Sequence, residues 1–180
     1  MFVPEFDLMH ILIAPNAFKN SLDAASAAES IREGLLESRL KPSCACFPVG
    51  DGGDGTAELL IAHLKGETKV VETTDALGRK ISSSFGWISD QRLAVIEMAD
   101  ASGLRQLKPE EYNPLRATTY GTGRLLQAAL DLSPQKIIMG IGGSATVDGA
   151  TGILRALGIR FLGKDGKDLG RLPESLHTLH

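Results

Sequence analysis

The apolar and polar positions of this 180-residue chain fall into a repeating pattern of short apolar run, glycine-rich polar loop and helical spacing. In "HILIAPNAFKNSLDAASAAESIREGLLES" a strand ends at Ala14, and a loop carries Asn16 and Lys19. A helix is predicted from about Leu22, with Ser21 as its N-cap and Ile31 and Leu35 on one face. "CACFPVGDGGDGTAELLIAHL" repeats the order, with a strand to Val49, a loop of Asp and Gly, and a helix from about Thr56. "LAVIEMADASGL" reads as a buried strand with an acidic end. "NPLRATTYGTGRLLQAALDL" is a loop feeding a helix, and "IIMGIGGSATVDGATGILRALG" is strand, loop and helix once more. Strands alternating with helices imply parallel βαβ units.

Between residues 68 and 98 the period changes to two, with turn signals at "DALGR" and "SDQ", which predicts a meander of β-strands. The expected organisation is therefore an N-terminal extension over 1–9, with Met9 as a candidate start, a first α/β domain over 10–66, and a second over 67–180 built on a mixed sheet. The fold class is α/β, with flavodoxin- or Rossmann-like parallel layers. The tail after Gly158 predicts one more strand and a Gly-rich turn but no closing element, so the chain reads as incomplete.

Composition narrows the chemistry. A hydrophobic fraction of 43%, a formal charge of −3 and no Lys/Arg block describe a globular protein without the electrostatic footprint of a nucleic-acid binder. No apolar run approaches the roughly 20 residues of a membrane span, and no signal peptide opens the chain, so a cytoplasmic protein is expected. Cys44 and Cys46 alternate on a predicted strand and read as two buried structural thiols in a reducing compartment. The four histidines lack ligand spacing.

Ligands in open α/β sheets collect beyond the carboxyl ends of the strands. Those ends carry Lys19 and Ser21; Asp51, Gly52, Gly53, Asp54, Gly55 and Thr56; Glu97; and Gly142, Gly143, Ser144 and Thr146. Backbone N–H groups and a lysine for phosphate oxygens, with carboxylates for Mg²⁺, are what phosphoryl transfer requires. The Walker pattern is absent. "GIGGSA" matches G-x-G-x-x-A, with Asp165 at the distance of a ribose contact, so a dinucleotide-binding oxidoreductase is the rival reading.

Five stretches in order, "ILIAPNAFKNSL", "PVGDGGDGTAELL", "AVIEMADASGL", "NPLRATTYGTGRLL" and "GIGGSATVDGATGILRALGIRF", together resemble the bacterial glycerate kinase family, type I, from about His10 to Gly170. The resemblance implies a two-domain enzyme about twice this length that transfers the γ-phosphate of ATP, with Mg²⁺, to D-glycerate, giving 2- or 3-phosphoglycerate. On that reading Lys19 neutralises phosphate oxygens, Asp51 or Asp54 binds Mg²⁺ or orients the glycerate hydroxyl, and Gly142 to Thr146 cradle phosphate or carboxylate. Gly52 and Gly53 line the site, and Thr119, Gly121 and Gly123 form a further anion nest. The implied partners are ATP and glycerate, with a homodimer as a candidate assembly. The 180 residues alone are expected to be inactive, and a non-catalytic fragment is the third reading. Asn16, Gly50 and Val147 depart from the family's usual Asp, Ala and Asn.

Overall fold

The computed structural model describes residues 9–18, 21–170 and 172–180, which fall into two compact units, one ending at Asp51 and one beginning at Gly52. In the first, strands β1 (His10–Ile13) and β2 (Ser43–Cys46) pair in parallel, Ile11 beside Cys44, joined by helix α1 (Ala24–Glu37). This is the predicted βαβ unit. The cap of α1 is Asp23 rather than Ser21, because its extended backbone brings the carboxylate within 2.8 Å of the Ser26 N–H. The helix buries Ala24, Ala27 and Ala28, while Ile31 is exposed. Two strands and one helix cannot cover every apolar side chain of this unit. Cys44 is accordingly half-buried and Cys46 exposed, not the buried pair the alternation suggested.

The second unit is built on a four-stranded sheet in the order β3 (Glu67–Thr74), β4 (Lys80–Ile88), β5 (Leu93–Glu97), β6 (Lys136–Gly140). The first three strands are antiparallel, which is the predicted meander, and β6 lies parallel to β5. The β3–β4 turn is tied by Asp75, whose buried carboxylate accepts from Leu77 and Arg79 N–H and pairs with the Arg79 guanidinium.

Helices cover both faces of the sheet. Helix α4 (Tyr120–Asp131) packs Leu125 and Ala129 on Phe85, Trp87, Ala94 and Ile96. On the other face α2 (Thr56–His63) sets Ala57 and Leu60 on Ile88, Leu93 and Val95. A Cβ on Gly86 would lie 2.4 Å from Ile61 Cγ1, so glycine there is what lets α2 approach the sheet. Because α2 packs on β4 and β5, the division of the chain falls at Asp51, earlier than the pattern-based boundary at 66. Short helices α3 (Ala99–Ser102) and α5 (Thr151–Ala156) follow β5 and the β6 loop. The predicted tail strand is reduced to isolated bridges, Leu162 with Asp168 and Gly163 with Leu179.

Candidate active site

The second unit gathers three chain segments at the carboxyl ends of β5 and β6. Helix α2 has Gly55 at its N-cap, at a φ of +86° that favours glycine, and glycine has no side chain to cap the helix. The cap comes from elsewhere: Glu97, 2% exposed at the end of β5, accepts from the N–H groups of Gly55 and Ala57, each at 3.0 Å. A negative charge at a helix start is favourable, so Glu97 has a structural occupation as well as a place at the site. Thr56 Oγ1 closes the loop by accepting from Gly52 N–H at 3.1 Å.

Against this loop lies the glycine run after β6. Gly142 N–H donates to Gly52 carbonyl at 2.8 Å. A Cβ on Gly142 would stand 2.6 Å from Gly53 Cα, and one on Gly140 would stand 2.8 Å from the Gly52 carbonyl oxygen. These glycines let two backbones touch. Beyond them, Leu104 N–H donates to Gly143 carbonyl, Ala145 N–H donates to Ser102 carbonyl, and Ser144 Oγ lies 2.8 Å from Thr146 Oγ1. The loop is thus held on both sides before any ligand arrives.

At its edge, Arg105 pairs with Asp54 at 3.3 Å and with Asp100. Gly55, Glu58, Ser84, Glu97, Asp100 and Arg105 border a cavity of about 320 Å³. Burial, then the charges of Glu97 and Asp54, push the Asp100 carboxyl up to about 6, against the pull of Arg105. A carboxyl raised from 3.8 in the fold opposes folding while it is ionised. Its cost is present above about 6 and fades as pH falls through 6 toward 4. Asp100→Asn is therefore expected to be more stable than the parent at pH 8, by about 1 kcal/mol after solvent screening and loss of the Arg105 pair. That advantage should shrink to nothing near pH 4, as read by urea denaturation at both pH values.

Of the residues expected from sequence, Gly52, Gly53, Asp54, Gly142, Gly143, Ser144 and Thr146 come together here. Asp51 is exposed at the end of the first unit, and Lys19 lies outside the described residues. Thr119, Gly121 and Gly123 are held by packing. Thr119 is buried with its hydroxyl on Asp148, a Cβ on Gly121 would lie 1.9 Å from Thr74 carbonyl, and one on Gly123 would lie 2.7 Å from Ile153 Cα. The dinucleotide fingerprint fails on geometry. The helix that should open on the third glycine position starts only at Thr151, and Gly142 N–H is already taken by Gly52. Three polar residues of this region had no role in the pattern: Asp100, Arg105 and the buried Asp148.

Fold and loops define an α/β protein with a preformed polar site beyond its strand ends. The glycerate kinase family's sequence profile matches residues 11–180, and the chain belongs to that family. It is 44% identical over 161 residues to a glycerate kinase from Halalkalibacterium halodurans, covering 89% of this chain and 42% of the relative. It is 41% identical over 172 residues to glycerate 2-kinase from Escherichia coli, covering 96% and 45%. A crystal structure provisionally described as glycerate kinase 2 from Salmonella typhimurium superposes with a TM-score of 0.80 at 41% identity, over 97% of this chain and 46% of that one. The chain thus spans less than half the length of the relatives it matches. Among the described residues no helix is long and apolar enough to cross a membrane.

Proposed function

We propose that the protein phosphorylates a hydroxyl of D-glycerate with ATP, in the cytoplasm, and that this chain contributes the loops that hold the reacting groups. The observation that carries the reading is the knot of three segments around Gly52, Gly142 and Gly103, in a chain whose family relatives are named for this activity. Phosphoryl transfer asks the protein mainly for positioning and charge compensation, and a backbone knot fixed before binding supplies positioning.

In this reading Arg105 receives an anionic oxygen of substrate in exchange for part of its contact with Asp54 and Asp100. Asp54, its side chain 56% exposed, accepts the proton of the glycerate hydroxyl or orients that hydroxyl. Glu97 keeps the Gly55 turn closed beneath them. Among the described residues no three His, Cys, Asp or Glu side chains converge as a cation cage. A Mg²⁺ carried on ATP phosphates takes only one or two protein carboxylates and keeps its waters, and the exposed carboxylate of Asp54 suits such a site. When bound, the ion would neutralise charge on the transferring phosphate.

Ligand-induced stabilisation separates this from the oxidoreductase reading. ATP with Mg²⁺, and D-glycerate, are each expected to raise the melting temperature, since a ligand at a hundredfold its Kd adds about 2.7 kcal/mol. NAD should leave it unchanged. A rise with NAD alone would overturn the proposal.

A further inference from the structure

The cavity beside Arg105 has more room than a three-carbon acid uses. At about 320 Å³ it falls within the range of sites that bury drug-sized molecules, about 300–1,000 Å³. We propose that it is an acid site for chains longer than glycerate, the four- and five-carbon polyhydroxy acids, held at the same end and phosphorylated at the hydroxyl beside the carboxylate. The inference rests on the kinase reading and widens its substrate class. The transfer step is unchanged: the hydroxyl oxygen bonds the γ-phosphorus as the bond to ADP breaks, and the hydroxyl proton leaves to Asp54.

Direction is the first argument. Arg105 and Asp54 touch at 3.3 Å, so one substrate meets them with adjacent groups, its carboxylate on the guanidinium and the neighbouring hydroxyl on the Asp54 carboxylate. Among the described residues Arg105 is the one cation bordering the cavity, which fixes where the acid's carboxylate goes. The remainder of the molecule extends from that pair into the space under α2, over β4 and β3, where Glu58, Ser84 and Thr68 stand. Thr68 pairs with Gly86, and Gly86 and Ser84 alternate with Phe85 and Trp87 of the α4 face, so Ser84 and Thr68 share the face that α2 covers.

The lining is the second argument. Ser84 is half-buried, and neither its hydroxyl nor that of Thr68 meets a hydrogen-bond partner among the described residues. Each hydroxyl can donate once and accept twice, and the Glu58 carboxylate accepts, which suits a run of substrate hydroxyls. Glycerate held by Arg105 and Asp54 has a single hydroxyl left over, whereas a longer acid has one on every added carbon. Ile61, packed against Gly86 beside Thr68, ends the polar wall with an apolar stop.

Isothermal titration of D-erythronate and D-glycerate into the purified protein tests the assignment. D-Erythronate is the four-carbon acid with the same configuration beside its carboxylate. It is expected to bind about threefold or more tighter than D-glycerate, the worth of one further hydrogen bond. Ser84→Leu, which fills the space, is expected to reverse that preference. Thr68→Val, a change at an exposed position that keeps the fold, is expected to reduce it. D-Erythronate bound no more tightly than D-glycerate, or a preference that neither variant lowers, overturns the inference. The kinase reading fails separately, in ADP release by this chain extended with the second half of a glycerate kinase. A preference for D-erythronate that a variant lowers, with ADP release from neither acid, removes that reading and keeps the longer-acid site. Release with D-glycerate alone keeps the reading and removes the inference.

Discussion

Asp148→Ala is expected to cost about 4 kcal/mol of folding stability, more than any surface change in this chain, although the residue bonds nothing beyond its neighbouring helix starts and the loop between them. Its carboxylate is 1% exposed and accepts from Thr119 N–H at 2.8 Å, Thr119 Oγ1 at 2.9 Å, and Ala150 and Gly152 N–H each at 3.1 Å. Alanine leaves several buried donors without an acceptor. Each orphan costs about 1–3 kcal/mol, partly recovered as the loop relaxes and admits water. Asp148→Asn keeps one acceptor oxygen and is expected to fall between, at about 2 kcal/mol. Urea denaturation of the three proteins gives the order. A loss under 1 kcal/mol for alanine would mean that α4 and α5 are held by packing and that Asp148 is incidental to it.

That residue also shows where sequence reading stops. The meander, the buried strand β5 and the loops after β5 and β6 were legible because alternation, apolar runs and glycine clusters are local signals. Glu97 capping Gly55 joins residues 42 positions apart, and no local pattern announces it. Asp100 lies within, and Arg105 just past, the stretch read as a buried strand with an acidic end, and both acquire their roles only when β5 and the start of α2 bring Asp54 and Glu97 beside them. Glycine is ambiguous for a physical reason. The missing Cβ permits approach of a ligand or of another backbone, and the sequence reads alike in both cases. At Gly142 the neighbour is Gly53, at Gly121 it is Thr74, and at Gly123 it is helix α5. The alternation at Cys44 and Cys46 misled because it assumed a covered sheet face, and the first unit has only two strands and one helix.

The second large effect is kinetic and is expected at Asp54. Its carboxylate is exposed and, among the described residues, paired only with the half-exposed Arg105, a contact worth about 0–1 kcal/mol, so Asp54→Asn should leave stability within about that margin. If the carboxylate holds the glycerate hydroxyl or a phosphate-borne Mg²⁺, the amide should lower kcat about 100-fold or more, the scale of a positioned acid–base group. Loss of activity only in step with loss of folding would return Asp54 to a surface role.

The same assay, ADP release coupled to a spectrophotometric readout with ATP and Mg²⁺, tests the central proposal when run with and without D-glycerate. It should use this chain extended to its relatives' length by the second half of a glycerate kinase, beside residues 1–180 alone. The account predicts ADP release that requires glycerate in the extended protein, falls about 100-fold in its Asp54→Asn form, and is absent from the 180-residue chain, which spans less than half the length of its relatives. ADP release indifferent to glycerate, or equal turnover by both proteins, would contradict it.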